Sequence, residues 1–168
     1  MGAVLQETVQ VLNDVKVLAH ELYSPRLEYL GIAAVMRSFC KDLSEQKGIE
    51  IDFRADGLPG LVPPDISLCL FRVLQEALHN AAKHSGVKYL NVRLKAVPDE
   101  IHLTVNDNGV GFDPEAAREA QGLGLNRMQE RLKLVNGTLS VDSQDKRGTT
   151  IHARIPFTSE PASQRAAG

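Results

Sequence analysis

Apolar residues recur at helical spacing in some stretches of this chain and alternate at strand spacing in others. Val4, Val11 and Leu18 repeat at seven residues, and Val15 and Leu22 fill the alternate position. This predicts a bundle helix over residues 4–24, interrupted by Pro25. Leu27, Leu30, Ala34, Val35 and Phe39 then resume a helical stripe that closes near Gly48. The period next drops to two: Ile49, Ile51 and Phe53 alternate with Glu50, Asp52 and Arg54, which predicts a strand. Residues 55–64 form a loop rich in glycine and proline. A long helix follows from Asp65, its N-cap candidate, to His84. Leu90, Val92 and Leu94, and then Ile101, Leu103 and Val105, predict two strands turned at Pro98-Asp99. A glycine-rich segment from Asn106 to Gly124 leads into a helix from Leu125 to Asn136. Leu139 and Val141 start a fourth strand, and Ile151, Ala153 and Ile155 mark a fifth. Helices and mostly antiparallel strands in this order predict an α+β fold, a two-layer α/β sandwich with a helical extension at its N-terminal side. The Ser-, Pro-, Ala- and Gln-containing tail over 158–168 is expected to be disordered.

Composition narrows the function classes. Hydrophobic residues at 43% allow a packed core. A net charge of −2 argues against nucleic acid as the main partner, because backbone phosphates call for a basic face. Cys40 and Cys69 have neither metal-ligand spacing nor a disulfide framework, so a reducing cytoplasm is the expected location. No apolar run approaches the roughly 20 residues that cross a bilayer, and no signal-peptide pattern opens the chain.

Four segments carry candidate chemistry. On the long helix, Arg72, Glu76, Asn80 and Lys83 share the side opposite Val73, Leu74, Ala77, Leu78 and Ala81. A carboxylate, an amide and a cation on one stripe suit a magnesium–phosphate complex; a plain solvated helix face has the same pattern. In NDNGVGFD, residues 106–113, Asp107 ends a strand, and Gly109 and Gly111 let a flat ring approach the main chain. A carboxylate there can accept a hydrogen bond from an exocyclic amine such as that of adenine, although a simple turn reads the same way. Gly122 and Gly124 precede a helix whose N-terminus favours anions, but they also suit an ordinary loop–helix junction. Gly148-Thr149 opens the last strand with a hydroxyl, which β-propensity alone would also explain.

Taken in order, ExxxN on a helix, DxGxG after a strand, GxG before a helix and GTT opening the last strand resemble the GHKL (Bergerat-fold) ATP-binding superfamily. That superfamily includes histidine kinases, DNA gyrase, MutL and heat-shock chaperone ATPases. The resemblance spans about residues 65–157, and more weakly 10–55. The string EALHNAAKHS, residues 76–85, and the short lid between Gly111 and Gly122 resemble sensor histidine kinases of the NarL/DegS-partner type. LAHELYSPRLEYLGI, residues 18–32, is similar to that subfamily's second dimerisation helix.

The resemblance implies a division into residues 1–47, the end of a dimerisation and phosphotransfer region, and residues 48–157, a catalytic ATP-binding domain. It implies that Asn80 ligates Mg²⁺ with support from Glu76, and that Lys83 and His84 approach the phosphates or sugar. Asp107 would bind the adenine amine. Gly109, Gly111, Gly122, Gly124 and Leu125 would shape pocket and lid, and Thr149 would sit behind the base. The γ-phosphoryl group would pass to a histidine on an upstream helix of a homodimeric parent, and from there to a NarL-type response regulator. Catalysis there would rest on positioning and charge neutralisation.

His20 lies in AHELYSP, which superficially matches a phosphoacceptor string. Spacing speaks against it: a phosphoacceptor helix and its returning partner, at roughly 20–30 residues each, would consume most of the span to Asn80. His102 and His152 alternate with apolar strand residues and are expected to face solvent. An ATP hydrolase of the gyrase/MutL kind, with Glu76 as general base, and an anti-sigma-type serine kinase are the alternatives.

Overall fold

The computed structural model describes residues 26–84, 86–119 and 123–158. The expected first helix over 4–24, His20, Gly122 and nearly all of the tail lie outside the described residues. A helical turn over 26–30 precedes α1, Ile32–Lys47. The predicted stripe from Leu27 to Gly48 is therefore broken at Gly31, whose φ of 76° and ψ of 157° are not helical. At the far end, the Gly48 amide donates to the Ser44 carbonyl and closes α1.

The remaining elements are β1 (Glu50–Asp56), α2 (Pro64–His84), β2 (Tyr89–Val97), β3 (Glu100–Asp107), α3 (Pro114–Glu119), α4 (Leu123–Lys133), β4 (Thr138–Ser143) and β5 (Thr149–Pro156). The strands form one sheet in the order β1-β2-β3-β5-β4. The β1–β2 pair is parallel and the other three pairs are antiparallel. The parallel pair follows from connectivity, because β1 reaches β2 through the long α2 crossover rather than a hairpin. The predicted turn at Pro98-Asp99 is the hairpin between β2 and β3, with Asp99 at φ 64°.

Strand alternation decides which face is covered. Leu90, Val92, Leu94, Ile101, Leu103, Val105, Ile151, Ala153 and Ile155 are all buried. They face a helical layer in which α2 contributes Leu70, Phe71, Val73, Leu74, Ala77 and Leu78, each at most 1% exposed. α4 adds Met128 and Leu132. Burying one such side chain contributes about 1.5–3 kcal/mol, and truncating Leu74 to alanine should cost roughly 2–5 kcal/mol. α1 joins this layer through Phe39, set edge-on to Phe71 at 5.4 Å, and through Arg37, whose guanidinium lies 5.5 Å from the centre of the Phe53 ring.

The opposite sheet face is polar and only partly covered. There His102 and His152 depart from expectation: they are half-buried and packed edge-on at 5.0 Å rather than projecting into water. The cross-strand register places His102 beside Arg154 and His152 beside Thr104, so the two imidazoles meet on the diagonal. Glu100 sits 2.6 Å from His102. Burial, with smaller contributions from His102 and Arg154, lowers the pKa of His152.

Three further boundaries differ from the sequence reading. Asp65 lies inside the first turn of α2 instead of preceding it, and its carboxylate accepts from the Ile66 amide at 2.9 Å. α4 begins at Leu123 and ends at Lys133, so Gly124 belongs to the helix itself. The segment between Gly111 and Gly122 contains a short helix, α3. Asp113 caps it by accepting from the amides of Glu115 at 2.9 Å and Ala116 at 3.3 Å, and Pro114 fills the first helical position.

Candidate functional site

Hydrophobic alternation ends in a polar row at one edge of the covered face. Asp107 stands opposite Thr149, and Thr149 opposite Ser143, across β3, β5 and β4. By strand parity these three residues face the helices, one step beyond Val105, Ile151 and Val141. They are 6%, 9% and 8% exposed. Among the described residues, Ser67 is the fourth buried polar side chain.

The Asp107 carboxylate accepts from the Gly109 amide at 2.8 Å. Burial pushes its pKa up, and hydrogen bonds from the main chain of Gly109 and Thr149 offset part of that rise. A buried carboxylate held by main-chain donors, with no cation paired to it among the described residues, offers acceptor capacity to an incoming N–H group.

The loop after Asp107 is pinned at three points. Gly109 binds Asp107, the Val110 carbonyl accepts from the Lys146 amide at 2.6 Å, and the Phe112 amide donates to the Ser143 hydroxyl at 2.9 Å. Two glycines permit this docking. At Gly111, φ is 65°, and a Cβ would run into the carbonyl groups of Gln144 and Gly148. At Gly148, φ is 79°, and a Cβ would run into the Asp107 carbonyl.

A second group of residues forms where α2 meets α4. Glu76 and Asn80, one turn apart and half-buried, both lie against Gly124 in the first turn of α4. A Cβ on Gly124 would overlap the Glu76 carboxylate and stand 2.9 Å from Asn80 Nδ2. The polar stripe of α2 is therefore partly covered by α4 rather than fully solvated. Leu125 is buried beside it. Lys83 and His84 are exposed in the last turn of α2, and no described contact ties them to either group. Arg72 donates to Gln75 at 2.8 Å, along its own helix.

The structure thus gathers Asp107, Gly109, Gly111 and Thr149 in one cluster, and Glu76, Asn80 and Gly124 in another. Both lie on the helix-covered side of the sheet. Ser143 was missed from the sequence. The signal was present in β4, where the alternation Leu139, Val141, Ser143 puts a hydroxyl at a core-facing position. As for a cation, the described residues include no group of three or more His, Cys, Asp or Glu arranged to hold a metal. A carboxylate and an amide one turn apart do fit Mg²⁺, which keeps waters and phosphate oxygens as its other ligands.

Residues 66–159 match the family described as histidine kinase-, DNA gyrase B-, and HSP90-like ATPase. The chain is 36% identical to the oxygen sensor histidine kinase NreB of Staphylococcus carnosus, over 89% of this chain and 43% of NreB. It is 32% identical to the signal transduction histidine-protein kinase/phosphatase DegS of Brevibacillus brevis, over 89% of this chain and 38% of DegS. It therefore spans about two fifths of the length of these relatives. Among solved structures, the blue-light activated histidine kinase of Erythrobacter litoralis shares the fold, with a TM-score of 0.68 at 19% identity, over 89% of this chain and 55% of that one. The chain belongs to the histidine kinase-, DNA gyrase B- and HSP90-like ATPase family.

Proposed function

We propose that this domain binds ATP between α2 and the Asp107–Thr149 row, with Mg²⁺ held at Asn80 and Glu76, and donates the γ-phosphoryl group to a histidine on a helix of a longer parent kinase. The observation that carries the reading is Asp107: a buried carboxylate at a strand end, fixed by main-chain donors and followed by a loop of close-packed glycines. The acceptor row would read the amine edge of adenine. Asn80 and Glu76 would supply oxygen ligands to the cation, which when bound neutralises phosphate charge. Lys83 and His84, exposed one turn further along, would reach the phosphates or sugar. Gly109, Gly111 and Gly122 would shape the pocket, and Gly124 and Leu125 would carry the lid's return onto α2.

In the same reading, residues 1–47 are the end of the dimerisation and phosphotransfer region, residues 48–157 the catalytic domain and residues 158–168 a tail. The parent would be a homodimer that phosphorylates a NarL-type response regulator in the cytoplasm. Among the described residues, no helix is long and apolar enough to cross a membrane.

Phosphotransfer tests this reading. Incubated with γ-labelled ATP and Mg²⁺, the chain alone should gain little label, whereas a separately supplied acceptor helix from a parent kinase should become phosphorylated. Acid-labile, base-stable label on His20 of the isolated chain, abolished in His20→Gln, would overturn the assignment of the acceptor to another segment. Steady release of phosphate without any labelled protein would favour the hydrolase alternative.

A further inference from the structure

We infer that Ser143 is a positioning residue that fixes the hydrogen-bonding polarity of Thr149, and through it the preference for an amino over an oxo group on the bound base. The inference rests on the proposed nucleotide site. Ser143 Oγ makes three hydrogen bonds: to the Phe112 amide at 2.9 Å, the Gly148 carbonyl at 3.0 Å and Thr149 Oγ1 at 2.9 Å. A serine hydroxyl has one proton and two lone pairs. The Phe112 amide can only donate and the Gly148 carbonyl can only accept, so the serine proton belongs to Gly148. Its remaining lone pair must then accept the proton of Thr149. With that proton committed, Thr149 Oγ1 has lone pairs alone to present elsewhere, beside a carboxylate that is also an acceptor when ionised.

A wall made of acceptors suits an exocyclic amine. It repels a carbonyl oxygen in the same place, because two acceptors cannot share a hydrogen bond. Without Ser143, the Thr149 hydroxyl rotates freely and can donate, so the wall tolerates an oxo group. The Phe112 amide also loses its partner, which loosens the loop after Asp107. Ser143 is buried at the end of β4 and makes all three of these bonds to groups of the site or its adjoining turn.

The test is a comparison of ADP and inosine diphosphate binding by calorimetry; the two bases differ in the amino or oxo group at C6 and in the N1 proton that accompanies the oxo group. In Ser143→Ala, ADP affinity should fall roughly fivefold to tenfold while inosine diphosphate affinity changes less, so the adenosine preference shrinks. Ser143→Thr, which keeps the hydroxyl, should restore the preference. If alanine prevents folding, Ser143→Cys replaces the hydroxyl with a weak hydrogen-bonding thiol of similar shape and should narrow the preference in the same direction. An unchanged ADP-to-inosine-diphosphate ratio in a folded alanine or cysteine variant would overturn the inference. Asp107→Asn run in parallel separates the two levels. If it loses ADP affinity while the Ser143 variants keep the ratio, only the role of Ser143 is rejected. If it too binds like the unsubstituted chain, the nucleotide site is misplaced and the inference goes with it.

Discussion

Asp107 and Thr149 face one another across β3 and β5, and both are buried on the side of the sheet that the helices cover. This pairing places a carboxylate where burial works against its charge. Its pKa is raised above the ordinary carboxylate value of 3.8. The stability it contributes is thus full below that value and is lost as pH climbs through the raised folded-state pKa.

Asp107→Asn should therefore separate binding from stability. Nucleotide affinity should drop about tenfold to a hundredfold, the value of a hydrogen bond to a charged group. Thermal stability of the free protein at pH 7 should be equal or higher. The stability advantage of the variant should vanish as pH falls to the ordinary carboxylate range. Differential scanning calorimetry between pH 4 and pH 8, paired with titration calorimetry, checks both parts. A variant that binds normally but melts far lower would make Asp107 a structural residue.

Gly124→Ala should damage the contact between α4 and α2. The added methyl would press on Glu76 and Asn80, and overpacking of this kind costs typically 1–3 kcal/mol. Glu76→Ala should relieve part of that cost, so a double-mutant cycle on chemical denaturation should show coupling between the two positions. Independent, additive effects would mean that the contact does not restrict the position of α4.

Asn80→Ala should weaken ATP binding with Mg²⁺ present and have little effect when the metal is chelated. Equal loss under both conditions, measured by fluorescent-nucleotide competition, would argue against a ligand role and for a direct contact to the nucleotide.

Cys40 and Cys69 should resist alkylation in the folded protein. Burial pushes their thiols up to about 12 and about 11 respectively, so almost no thiolate exists at pH 8. Iodoacetamide should modify both rapidly in denaturant and slowly without it, as followed by intact-mass spectrometry. Fast modification of Cys69 in native buffer would show that α2 and α4 separate readily, since its thiol lies 3.4 Å from the Arg131 carbonyl.

Much of this architecture was legible in the chain. The alternation at Leu90, Val92 and Leu94, and at Ile101, Leu103 and Val105, predicted both the strands and the face they bury, because period-two burial leaves a strong signal. The four candidate segments likewise fell on α2, the end of β3, the start of α4 and the start of β5. Features governed by tertiary contact were not legible. Gly31 breaks a stripe whose apolar spacing is unbroken. α3 is too short to show a period and depends on the Asp113-Pro114 start. His102 and His152 look like exposed residues on their own strands, and only the β3–β5 register brings the rings together. Ser143 looks like an ordinary strand residue until the loop from β3 folds back onto it.

The most direct test of the account is where a nucleotide lands. In a ¹⁵N-resolved titration of the chain with ADP and Mg²⁺, the amides of Gly109, Phe112, Gly124 and Thr149 should shift together and saturably. Those of Asn91, His102 and His152, on the polar outer face of the sheet, should stay largely in place. Saturable shifts centred on His102 and His152, or no saturable shift at Gly109 and Thr149, would contradict the proposed site.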